Sequence, residues 1–95
     1  MTETYYLLCN AFDAKLDTVL RENNYHPEMD ISELKSIEEK YIALCGNVIL
    51  EKLENTEYTI KEKQQLERLV QLEIVKNLKK EKWVRYYELN KGIRR

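Results

Sequence analysis

Thr59–Leu89 reads TIKEKQQLERLVQLEIVKNLKKEKWVRYYEL, thirty-one residues without a Gly or a Pro. Thr59 and Glu62 have the spacing of a capping box, which predicts a helix start at Thr59. Leu66, Leu69, Val70, Ile74 and Leu78 then recur at three- and four-residue steps and form one stripe. Leu72, Trp83, Val84 and Tyr87 widen the apolar arc past half the helix circumference, and Val75 and Tyr86 lie outside even that. A helix so broadly apolar has to be covered on more than one side. The segment predicts a single long third helix, with a break near Lys80 into a short fourth as the variant of that reading. Gly92 is the expected stop.

Two more amphipathic segments precede it. In the first, about Glu3 to Glu22, Tyr5, Leu8, Cys9, Phe12, Leu16, Val19 and Leu20 fall within an arc of roughly 120°. Thr2 is its expected N-cap, and Asn23-Asn24 and Pro27 end it. The second opens at Asp30, where Asp30 and Glu33 again have capping-box spacing. Leu34, Ile37, Tyr41, Leu44, Cys45, Val48 and Ile49 carry the period to about Glu54. Gly46-Asn47 is a candidate break, but the apolar phase runs through it, and one interior Gly costs only about 1 kcal/mol. The fold class is therefore all-α: a three-helix antiparallel bundle, 1–95 forming one domain, since short connections favour antiparallel neighbours.

In that arrangement Cys9 falls level with Cys45, so the two thiols are expected to share a core layer, packed rather than bridged. The third helix outruns the second by roughly 9 Å. The part that overshoots begins at Trp83, which is expected to land against the 23–29 loop.

Composition narrows the function. The chain has 95 residues, 43% hydrophobic and 35% charged, too apolar for disorder. No apolar run exceeds five residues, as at Tyr41–Cys45, so no span across a bilayer is expected. The N-terminus lacks a basic-then-apolar leader pattern, so the expected compartment is the reducing cytoplasm. Net charge is −1, yet residues 1–75 carry 8 Lys/Arg against 15 Asp/Glu, and residues 76–95 carry 8 against 2. An acidic body with a basic C-terminal segment points to partners rather than to fold.

Catalytic chemistry lacks its parts. His26 is the sole histidine and lies in a loop, while both cysteines fall mid-helix, which leaves no Ser/Cys–His constellation. His26, Glu28 and Asp30 alternate as three weak ligands on a loop, and there is no paired Cys motif, so no metal is expected. With Gly only at 46 and 92 no phosphate loop can form. The expectation is no enzyme, no catalytic residue and no cofactor.

The candidate partner-binding residues are Trp83, Arg85, Tyr86 and Tyr87, rimmed by Lys79, Lys82, Arg94 and Arg95. Trp, Tyr and Arg are enriched in binding hot spots. The expected function is a small non-catalytic module that docks on another protein as a regulator, inhibitor or adaptor. A nucleic-acid-binding accessory protein using the basic aromatic segment is one alternative, and a self-assembling structural or virion component is another. A homodimer is expected, because the third helix has more apolar surface than two neighbours can cover. Lys, Ile, Asn and Tyr make up 32 of 95 residues, which fits an AT-rich bacterial or phage coding sequence.

Overall fold

A computed structural model describes residues 2–93, with the side chains of Gly92 and Ile93 excepted; Arg94 and Arg95 lie outside the described residues. The described chain is helical, with no strand: α1 (Thr2–Glu22), α2 (Ile31–Glu54), α3 (Ile60–Asn77) and α4 (Lys80–Ile93). Thr2 is already helical, so it is not the cap of α1.

Local chemistry explains most of these boundaries. Asp30 caps α2 by accepting the Glu33 N–H at 2.9 Å. Its partner in the carboxylate's second contact is the Ser32 hydroxyl, which donates at 2.7 Å. At Thr59 both halves of the capping box form: the Glu62 N–H donates to Thr59 Oγ1 at 3.2 Å, and the Thr59 N–H donates to Glu62 Oε1 at 3.1 Å. These bonds lower the carboxyl pKa of Asp30 and of Glu62. α2 runs unbroken through Gly46. α4 is helical through Gly92 to Ile93, the last described residue, one position beyond the expected stop.

The single long third helix is not formed; the variant with a break near Lys80 and a short fourth helix is the one the structure has. α3 ends at Asn77, and the chain turns at Leu78–Lys79 before α4 begins. The reason is tertiary. A straight continuation would carry Trp83 past its neighbours, whereas the turn places it in the core with no exposed surface. Burial of an indole contributes several kcal/mol, more than a turn in a helix costs.

The core gathers Leu8, Phe12, Leu16, Val19 and Leu20 of α1, Ile37, Tyr41, Cys45, Val48 and Leu53 of α2, Leu66 and Val70 of α3, and Trp83 of α4. Cys9 and Cys45 are free thiols with different surroundings. Cys9 is half-buried beside Tyr5, near Glu73 and Lys76, while Cys45 is buried beside Tyr41.

Burial pushes the Cys45 thiol up to about 11 and raises Tyr41 as well. Both groups therefore bind a proton more tightly when folded than when unfolded. The associated stability is whole below the unfolded thiol's value near 8.5 and is lost as pH rises through about 11. The loss expected from Cys45 alone is roughly 2–3 kcal/mol, and urea midpoints at pH 8 and pH 11 measure it. Cys45→Ala should flatten that pH dependence, leaving the part due to Tyr41 and to the other raised groups, Cys9, Tyr25 and Tyr86 among them.

Candidate docking site around the fourth helix

The site begins at the end of α1. The Tyr25 N–H donates to Leu20 O at 2.9 Å, and the Asn24 N–H donates to Arg21 O at 3.2 Å. Asn24 takes φ 51°. This is a Schellman cap, with Asn at the left-handed position that an asparagine tolerates. Such a cap folds the following residue back on the helix, and so Tyr25 is buried against the core rather than left in the loop.

Tyr25 is the hinge of an aromatic cluster. Its ring meets Trp83 edge-on, with centroids 5.6 Å apart, and Tyr87 edge-on at 6.3 Å. The expectation that Trp83 lands against the 23–29 loop thus holds. Its assignment to the partner-binding surface does not, because the indole is wholly buried and its Nε1–H donates to the Asn77 carbonyl at 2.9 Å.

Asn77 is the one buried polar side chain among the described residues. Its Nδ2 donates to the Tyr41 hydroxyl at 2.9 Å and to Asp13 Oδ1 at 3.1 Å. Its Oδ1 accepts from Lys82 Nζ, which also stands 3.5 Å from Asp13 Oδ1. One side chain therefore joins all four helices where α3 turns into α4. Lys82, assigned to the rim of the binding surface, is half-buried and turned inward to this network.

Two clefts lie on either side of the α4 ridge. The first, about 230 Å³, has Leu20, Tyr25, Tyr86 and Tyr87 as its floor and Arg21, His26 and Lys91 on its rim, with Asn24 and Asn90 between. Lys91 Nζ lies 6.0 Å from the Tyr87 ring centroid. Arg21 is 3.6 Å from Asp17 in a solvent-exposed pair. Burial raises the Tyr86 phenol pKa, with Asp13 and Asp17 adding to the effect, so that phenol is neutral at pH 7. An aromatic floor edged by Lys91 and by Arg21, which is paired with Asp17, suits an apolar or aromatic group. The second cleft, about 300 Å³ and open, is lined by Lys76, Lys79, Glu81, Lys82 and Arg85.

The structure thus divides the residues assigned from sequence. Tyr86 and Tyr87 share the aromatic cleft, Lys79, Lys82 and Arg85 share the basic one, and Trp83 belongs to the core. Arg21, Tyr25 and His26 were missed. For Tyr25 the signal was Asn23-Asn24 followed by an aromatic residue, an αL cap with an apolar residue after it; Arg21 and His26 carried none. Among the described residues no three His, Cys, Asp or Glu side chains are grouped to hold a metal, and no helix is long and apolar enough to cross a membrane. Compared with known proteins, the chain matches no family model, no curated protein and no solved structure.

Proposed function

We propose that the chain is a small non-catalytic protein-binding module, a regulator, inhibitor or adaptor, that docks on an acidic partner through the aromatic cleft and the adjoining face of α4. The observation behind it is the half-buried pair Tyr86 and Tyr87, rimmed by Arg21, His26 and Lys91 and flanked by exposed Arg85. Rings held by packing lose little entropy on binding, and charges at the rim select the partner's sign. The free thiols Cys9 and Cys45 support a reducing compartment.

An antiparallel order of α1 and α2 is part of the proposal. It is supported by the Thr4–Tyr58 hydroxyl pair at 2.8 Å at one end and by Lys40 Nζ on Asn23 Oδ1 at 2.7 Å at the other. A homodimer is part of it too, supported by Leu69, Leu72 and Val75, which stand exposed on α3.

The test is affinity capture by the wild-type protein and by an Arg85→Ala, Tyr86→Ala double variant, each with and without nuclease. The variant should fold, losing about 1–2 kcal/mol, chiefly from the Tyr86 ring packed against the core. Capture of a protein partner should fall by one to two orders of magnitude and ignore nuclease. Undiminished capture by the folded variant would refute the docking site.

The basic cleft favours a second reading, a nucleic-acid-binding accessory protein. Four of its five lining residues are cations. Binding to polynucleotide would weaken steeply with salt through counterion release, and nuclease would abolish the capture.

A further inference from the structure

We propose that two copies of the chain pair by exchanging α4, the turn at Leu78–Lys79 opening into one continuous helix in each. This rests on the second-copy part of the reading above and supplies its mode.

The turn is short and has no residue that demands it. Leu78 and Lys79 are both good helix formers, and neither is Gly or Pro. Leu78 sits at φ −79°, ψ −2°, within the right-handed helical region and only about 40° in ψ from a regular helix. The Leu78 N–H keeps a helical bond to Ile74 O at 3.1 Å, and the turn falls in the bonds that follow it. Lys79 N–H reaches Lys76 O at 3.4 Å, and Lys82 N–H takes Lys79 O, three residues back. Straightening would give these groups four-residue helical bonds.

What holds the bend lies between α4 and the rest of the chain. Trp83 fills the core beside Tyr25 and bonds the Asn77 carbonyl, and Lys82 bonds the Asn77 side chain. A second copy's α4 can make each of these contacts with the same partners. In an exchanged pair the contacts are therefore kept, and the energy difference resides in the turn and in any new surface buried.

New surface is available. The chain exposes 6944 Å², where a compact monomer of this mass exposes about 5,800 Å². It measures 46 × 28 × 19 Å, with a radius of gyration of 14.7 Å against about 12 Å for a compact domain of this length. Leu72 is 70% exposed and Val75 62%, and both lie on α3 just before the turn. Straightened helices spanning Ile60–Ile93 would run about 51 Å and pass one another at this point, covering both residues.

Lys80→Pro separates the two forms. In the bent chain Lys80 is the first residue of α4, where proline is tolerated. In a continuous helix the ring would collide with the Lys76 carbonyl and remove a hydrogen bond. The experiment refolds wild type and variant from denaturant at about 0.5 mM, dilutes them tenfold, and follows mass by light scattering. Wild type should give a species of twice 11.5 kDa that survives dilution for hours, because release requires α4 to leave the core. Lys80→Pro should be a monomer with wild-type helicity. If that variant does not fold, Lys79→Gly with Lys80→Gly provides the same comparison, with the dimer fraction falling severalfold. A dimer as abundant in the folded hinge variant as in wild type, or one that dissociates at once on dilution, overturns the exchange while leaving a second copy in place. Wild-type monomer at every concentration overturns both.

Discussion

Trp83→Ala is expected to destabilise the protein by about 3–5 kcal/mol, enough to leave much of it unfolded at 37 °C. A 95-residue domain has only about 5–14 kcal/mol in all. The loss has three parts: the indole's buried area, its edge-on contact with Tyr25, and the Nε1 bond that satisfies the Asn77 carbonyl. Trp83→Phe should keep most of the first two and cost about 1–2 kcal/mol, a loss that urea titration followed by circular dichroism would resolve. As the sole tryptophan, Trp83 also reports its own burial. The folded protein should emit at short wavelength and shift red in one step on unfolding. Red-shifted emission from folded protein would place the indole in water and remove the basis for the bend between α3 and α4.

The second large effect lies at Asn77. Asn77→Ala should cost about 2–4 kcal/mol, because it leaves the Tyr41 hydroxyl without its donor in the core and frees Lys82 from its acceptor. The network gives this prediction a sharper form. Tyr41→Phe removes the hydroxyl that Asn77→Ala would strand, so the double variant should be more stable than the two single losses added together. The expected coupling is about 1–2 kcal/mol, measured by a double-mutant cycle in urea. Strict additivity would mean that Asn77 acts by its volume and not through its hydrogen bonds.

The helices were legible because the signals that define them are local. Asp30 and Thr59 are caps whose oxygens reach an N–H three residues ahead, and that geometry needs nothing beyond the segment itself. The continuous apolar phase through Gly46 likewise outweighed one unfavourable residue, and α2 is unbroken.

The site was half legible. Aromatic and basic residues clustered beyond Lys79 drew attention to α4, but charge and composition do not say which way a side chain points. At Trp83 and Lys82 the inward direction was decided by partners distant in sequence, Tyr25 and Asp13. The same direction closes the aromatic cleft on one side with Arg21 and His26, two residues with no pattern linking them to Tyr86 and Tyr87.

From the residues alone follow the helical class, the starts of α2 and α3, and the acidic body joined to a basic end. Each depends on period, cap or count, quantities that a segment carries in isolation. The bend at Leu78–Lys79, the burial of Trp83 and the Asn77 network belong to the tertiary structure. Local propensity there favours a straight helix. The turn exists because an indole in the core and four hydrogen bonds on one asparagine are worth more than the helical bonds given up at two residues.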